Sequence, residues 1–340
     1  MSALLQALDL EVSFPLGQGW TRRSVLRALR GVSLSLGRGE AVGIVGESGC
    51  GKSTLARVLL GLIKPNSGQV LLEGRAVAHH DRDALLELRR RVQMVFQDPR
   101  GSLNPRLTIL ESIAEPLRCL RPEFSASERR MLIMHTLEQV GLDRGLASRY
   151  PHELSGGQCQ RAGIARAIVA KPDCLVCDEP VSALDLSIQG QIVNLLADLR
   201  REIGVGVLFI SHNLSVVRHL CDRVLVMHLG QVVEEGTVVQ VFTAPRHPYT
   251  QLLLSSELVA EPGRPLPALP DGEPASPLSP PAGCSFVGRC PVVMEACRHE
   301  PPPVTRDPDG HATRCYRWTD STSSIHSPAI PLSTDARRPR

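Results

Sequence analysis

Residues 46–53 read Gly-Glu-Ser-Gly-Cys-Gly-Lys-Ser, a complete G-x-x-x-x-G-K-S phosphate loop. Gly46, Gly49 and Gly51 let the backbone turn tightly enough to aim successive N–H groups at phosphate oxygens. Lys52 is expected to reach the β- and γ-phosphates of a nucleotide, and the Ser53 hydroxyl to ligate Mg²⁺. Nucleotide contacts are expected along the whole stretch: Gly46, Glu47, Ser48, Gly49, Cys50, Gly51, Lys52, Ser53 and Thr54. Farther along, residues 174–179 read Cys-Leu-Val-Cys-Asp-Glu, an apolar strand closed by two carboxylates. At the carboxyl end of a parallel strand beside a phosphate loop, Asp178 stands where Mg²⁺ needs a ligand. Glu179 is then placed to polarise the attacking water as general base.

These residues need a strand, a turn and a helix in that order. Val42, Ile44 and Val45 form a short apolar run of strand type that Gly46 ends. Residues 54–62 read as a helix, with Leu55, Val58, Leu59 and Leu62 at helical spacing. The helix N-terminus adds partial positive charge to the anion site. Between residues 98 and 150 the character changes. Residues 108–119 and 125–140 read as amphipathic helices, the second with an acidic first turn at Glu128 and a stop at Gly141. The Pro/Gly/Asn-rich stretch 98–105 reads as a loop.

With the motifs that follow in order, the chain resembles the nucleotide-binding subunits of ABC transporters over residues 4–255. Gln97, after the run 92–96, is similar to the glutamine that contacts Mg²⁺ and the attacking water in that family. Ser155, Gly156, Gly157 and Gln158 resemble its signature, Ser182-Ala183-Leu184-Asp185 its D-loop, and His212 its γ-phosphate-sensing switch histidine. Phe14 stands where the family places an aromatic that stacks on adenine; the other reading of Phe14 is a core residue. The resemblance implies an α/β fold: a RecA-like P-loop NTPase core, an N-terminal antiparallel β subdomain and a helical subdomain at about 98–165. It also implies an ATP-hydrolysing enzyme that pairs head to tail with a second ATPase subunit, identical or paralogous. Each signature would cap the γ-phosphate held by the other subunit, and two membrane permease subunits would receive the motion. The loop 98–105 would serve as their docking surface. Two positions depart from the usual pattern, Cys159 inside the signature and Asn213 after His212. Neither touches phosphate or water, so hydrolysis is expected.

The stretches 104–106, 150–154 and 245–253 resemble the dipeptide, oligopeptide and nickel import branch, closest to the second ATPase subunit of the peptide importers. That implies a periplasmic or extracellular peptide-binding protein in the complex and a place on the cytoplasmic face of the inner membrane. Nickel or another small solute is the alternative cargo, and a soluble ATPase of the same type is a further one. Residues 256–282 are Pro-rich and read as a linker. Beyond it Cys284, Cys290, Cys297 and Cys315 are spaced C-x5-C-x6-C-x17-C. Four thiolates in a reducing compartment suit a [4Fe–4S] cluster or Zn²⁺ better than disulfides. No gap is as short as the C-x2-4-C pairs of zinc knuckles, and the block resembles the cysteine-containing C-terminal domain of these importers, so the cluster is the expectation. Zinc and metal-free thiols are the alternatives.

Composition sets limits. The 340 residues, 42% hydrophobic, can bury one large core plus an appendage. The formal net charge of +3 and 3% aromatics argue against a nucleic-acid partner. No run approaches the ~18 apolar residues of a spanning helix, and the start of the chain lacks the pattern of a secretory leader. The expected organisation is an ATPase unit at 1–255, the linker at 256–282, a Cys-rich unit at 283–320 and a disordered tail at 321–340. Cys174 and Cys177, three apart on a strand, point to opposite sides and read as small buried hydrophobes. His79-His80 reads as a solvated loop pair.

Overall fold

The computed structural model describes residues 3–16, 24–256 and 275–318. The expected tail, and residues 257–274 of the expected linker, lie outside the described residues.

Two long strands, β1 (Leu5–Leu16) and β2 (Ser24–Leu36), pair antiparallel. β1 buries Leu5 and Ala7, then Leu10 and Val12. That switch from odd to even positions is a β-bulge at Asp9, whose φ is +48°, and it keeps one face of the strand on the core. The chain continues through β3 (Ala41–Val45), α1 (Lys52–Leu59), β4 (Ser67–Leu72), β5 (Arg75–Ala76), α2 (Arg82–Arg91) and β6 (Val92–Val95). Three helices follow: α3 (Ile109–Leu120), α4 (Ala126–Gln139) and α5 (Gly156–Ile168). Thr108 with Glu111, and Ser125 with Glu128, form capping boxes that fix where α3 and α4 begin. The core resumes with β7 (Cys174–Asp178), α6 (Leu186–Ile203), β8 (Gly206–Ile210), α7 (Leu214–Leu220), β9 (Arg223–His228), β10 (Gln231–Thr237), α8 (Val238–Thr243) and α9 (Pro248–Ser255). After residue 275 come α10 (Ala296–His299), β11 (Thr305–Arg306) and β12 (Ala312–Thr313).

The strands form two sheets. One is antiparallel, in the order β2-β1-β4-β5, and matches the expected N-terminal β subdomain. The larger runs β11-β12-β10-β9-β3-β8-β7-β6, and its segment β9-β3-β8-β7-β6 is parallel. Strands β3, β7 and β8 are buried at every position, as a parallel sheet covered on both faces requires. Cys174 belongs to the core cluster on one face of the sheet and Cys177 to that on the other, as strand alternation predicts. The helix expected at 54–62 instead begins at Lys52, inside the phosphate loop, and ends at Leu59.

The expected break between an ATPase unit and a Cys-rich unit is not a break in packing. β12 extends the main sheet by pairing with β10, Glu234 opposite Thr313 and Glu235 opposite Ala312. Cys284, Phe286 and Cys297 lie in the same core cluster as Phe209 and Val226. Fully buried Glu234 ties the segment down, accepting from the N–H groups of Arg246 (2.8 Å) and His247 (2.9 Å) and pairing with His311 Nε2 at 2.8 Å. Gly283 is needed where it stands, since a Cβ there would lie 2.2 Å from the Cys297 carbonyl oxygen.

Candidate active site

β3 delivers the chain to Gly46, where φ is +151° and a Cβ would sit 2.2 Å from the Met227 carbonyl oxygen. Only glycine fits that approach. Gly51, at φ +109°, is the N-cap of α1, so the helix begins with Lys52 and its free N–H groups open onto the loop. Lys52 is buried, and its ammonium donates to the carbonyls of Gly46 (2.7 Å) and Glu47 (3.0 Å). The Cys50 carbonyl accepts from Gly230 N–H at 2.9 Å, which ties the loop to the β9–β10 turn. Burial pushes the Cys50 thiol above its usual range, so it is no ready nucleophile.

Two carboxylates meet this loop from β7. Ser53 Oγ donates to Asp178 Oδ1 at 3.1 Å. Asp178 is buried and held above the ordinary carboxylate range chiefly by that burial, with the Ser53 hydrogen bond acting the other way. A cation bound there would favour its charged form. Glu179 follows at φ +46°, a left-handed conformation that an L residue adopts only under constraint. The constraint is visible: Glu179 N–H donates to Ile210 C=O at 2.9 Å, and the Glu179 carbonyl accepts from Ser182 Oγ at 3.1 Å. Gln97 Nε2 donates to Glu179 Oε2 at 3.1 Å, and His212 Nδ1 lies 3.5 Å from the same oxygen. Gln97, Glu179 and His212 therefore meet on one oxygen atom, while Ser53 and Asp178 meet beside the helix N-terminus.

The signature residues stand apart from this group. Ser155 caps α5 and exchanges hydrogen bonds with Gln158 in a capping box, and Gly157 lies against Ile188 of α6. Among the described residues no hydrogen bond joins them to residues 46–53. Asp185 is the N-cap of α6 without a side-chain cap bond. Phe14, on β1, is half-buried against the core beneath the antiparallel sheet. The two departures from the usual motifs have local reasons. Cys159 is a core residue whose thiol meets the Pro151 carbonyl, and Asn213 caps α7 by accepting from Val216 N–H. His79 and His80 lie in a turn, His80 exposed.

Residues that the motifs did not single out crowd the far side of the loop. Tyr249 Oη accepts from Glu47 N–H at 2.8 Å, and Arg289 donates to both Glu47 carboxylate oxygens at 2.8 and 2.9 Å. Behind them His228, Tyr249 and Phe286 form an aromatic cluster, with His228 Nδ1 3.0 Å from Ser285 Oγ. Burial lowers His228 to about 3 and His247 to about 4, so both are neutral. The sequence pointed only to 245–253 as a branch-specific stretch and to the neighbouring Cys284 and Cys290 as candidate ligands.

The four C-terminal cysteines, with His247 and Tyr316, line one small, largely enclosed cavity. Burial pushes Cys284 and Cys315 up to about 11 and raises Cys290. Tetrahedral zinc would need its sulfurs about 3.8 Å apart. Among the described residues no group of three or more His, Cys, Asp or Glu stands as ligands of a metal ion would, so this arrangement supports neither the expected cluster nor zinc. An apolar groove of about 560 Å³ opens between the core and the helical layer, lined by Leu62, Met94, Phe96, Pro116, Cys119 and Arg166 among others. Phe96, directly before Gln97, is exposed there under the Arg166 guanidinium.

Comparisons with known proteins bear on the family and the fold. A family model described as "ABC transporter" matches residues 29–182, and one described as "Oligopeptide/dipeptide transporter, C-terminal region" matches residues 233–297. The second range crosses the boundary expected at 256–282. A probable peptide ABC transporter ATP-binding protein of Sinorhizobium fredii is 47% identical, covering 97% of this chain and 94% of that one. The oligopeptide transport ATP-binding protein OppF of Salmonella typhimurium is 47% identical over 92% of this chain and 96% of its own. The dipeptide transport ATP-binding protein DppF of Escherichia coli is 43% identical over 92% and 94%. A dimeric ATP-binding cassette solved in a post-hydrolysis state with ADP and Pi superposes with a TM-score of 0.62 at 33% identity, covering 69% of this chain and 98% of that chain. The chain belongs to the ABC transporter ATP-binding proteins of the oligopeptide and dipeptide transport family.

Proposed function

We propose that this chain hydrolyses ATP to drive import of di- or oligopeptides, working on the cytoplasmic face of the membrane with a second ATPase subunit, two permease subunits and a peptide-binding protein. The observation that carries the reading is the meeting of Gln97 and His212 on the Glu179 carboxylate, next to Asp178 and Ser53 at the mouth of α1. Residues 46–54 bind the triphosphate through backbone N–H groups and Lys52. Ser53, Asp178 and Gln97 would hold Mg²⁺, which supplies charge neutralisation between the phosphates when bound. Glu179 takes the proton of the attacking water; Gln97 orients that water, and His212 reads the γ-phosphate. Ser155, Gly156, Gly157 and Gln158, at the N-terminus of α5, and Asp185 face the nucleotide of the opposing subunit, which explains their separation from this chain's own loop. Phe14 stacks on adenine at the open end of β1. The loop 98–105, which lines the groove beside Phe96 through Gly101 and Ser102, receives the permease subunits, so docking there moves Gln97. Among the described residues no helix is long and apolar enough to cross a membrane.

The same proposal includes a [4Fe–4S] cluster on Cys284, Cys290, Cys297 and Cys315. What supports it is the convergence of all four thiols on one cavity. A cluster gives each sulfur its own iron and so tolerates wider sulfur spacing than a single ion. It would serve structure or redox sensing.

The test of catalysis is Glu179→Gln. ATP binding should persist, turnover should fall by roughly 10²-fold or more, and the ATP-bound dimer should accumulate on gel filtration. Undiminished turnover would remove Glu179 from the mechanism.

A further inference from the structure

Glu47, the second residue of the phosphate loop, has each of its polar groups committed. Its carbonyl accepts from Lys52 Nζ, its N–H donates to Tyr249 Oη, and its carboxylate receives Arg289. Tyr249 is fully buried, and the Arg289 side chain is only 10% exposed, lying over the Phe286 ring at 5.4 Å. Phe286 and Tyr249 are themselves in ring contact. The two outside holds on Glu47 are thus one packed unit. Arg289 directly precedes Cys290, which places that unit on the cysteine-bearing segment.

Two physical effects follow, and both act on ATP. Fixing the Glu47 peptide fixes the carbonyl against which Lys52 rests, so the loop is organised before phosphate arrives. The guanidinium also neutralises a carboxylate that would otherwise face a polyanionic ligand. We propose that Arg289 is a positioning residue for nucleotide binding: by gripping the Glu47 carboxylate, the cysteine-bearing segment sets the affinity of the phosphate loop for ATP. The inference rests on the reading of residues 46–53 as the nucleotide site.

The experiment measures binding of a fluorescent ATP analogue to the purified full chain, and KM against kcat in the assembled transporter. Arg289→Ala should raise Kd and KM on the order of ten-fold, the scale of one charge-assisted hydrogen bond, while kcat moves by less than about two-fold. Arg289→Lys should recover most of the loss. Glu47→Gln should cost Arg289→Ala nothing further, because the bond it would break is already gone. Unchanged Kd in Arg289→Ala, or losses that add in the double variant, would overturn the proposal. If Arg289→Ala does not fold, Arg289→Gln decides, since it removes the charge while keeping most of the side chain's bulk; normal affinity there overturns it too. Lys52→Ala is the reference. Retained affinity in Lys52→Ala indicts the loop reading itself, whereas lost affinity there with a silent Arg289→Ala indicts only the inference.

Discussion

The phosphate loop and the four-thiol cavity lie on the two sides of Glu47 and are built by opposite means. The loop is nine consecutive residues, shaped by glycine dihedrals at the carboxyl edge of a parallel sheet and finished by a helix N-terminus. Its binding groups are mostly backbone. The cavity instead gathers side chains from three separated stretches, around residues 247, 284–302 and 315–317. Its shape depends on pairings such as Arg246 with Asp307 and His311 with Glu234. A site made of backbone tolerates side-chain change except at its few charged members, whereas a site assembled from distant side chains depends on every tie that brings them together.

Breaking the loop at its one buried cation should give the largest effect. Lys52→Ala should abolish measurable ATP binding and hydrolysis in a nucleotide-binding assay, because the group proposed to meet the β- and γ-phosphates is gone. The cavity is probed next. Protein purified without oxygen should carry about four irons per chain, and Cys290→Ser should lose them while ATP binding persists. Zinc at one per chain would replace the cluster with a structural ion. The smallest effect separates the two regions by acid. His228 and His247 are held neutral, lowered to about 3 and about 4, whereas in the unfolded chain they titrate near 6.5. Between those values the unfolded chain binds more protons, so stability falls as pH drops from about 6.5 toward 4. The slope should reach at most about 1.4 kcal/mol per pH unit for each histidine. Urea titrations across that range should show it, and His228→Gln should make it shallower.

The form of the phosphate loop was legible because its physics is local. Strand, glycine turn, lysine and helix follow within about twenty residues, and Asp178-Glu179 sits where a buried strand ends. Helix starts were readable for the same reason, since Thr108 with Glu111 and Ser125 with Glu128 are three residues apart. The start of α1 inside the motif was missed because Gly51 can cap a helix through its dihedrals, with no side-chain signal. Arg289 on Glu47 spans 242 positions, and nothing in either neighbourhood announces it. The Pro-rich stretch suggested a boundary that the sheet does not respect, because the pairing of β12 with β10 is decided by tertiary packing rather than by composition.

That pairing carries a consequence for how the chain is made. Thr313 closes the edge beside Glu234, so β10 has finished synthesis well before its outer neighbour emerges. At ~5–20 residues per second the nascent protein spends several seconds with the donors and acceptors of β10 unsatisfied along one side. An open strand edge is a template for any other extended segment nearby. Alternation along β10 turns Glu234 and Glu235 to opposite faces: Glu235 already holds Arg223 of β9, whereas the Glu234 carboxylate waits for His311, and a charge at that edge discourages adventitious partners.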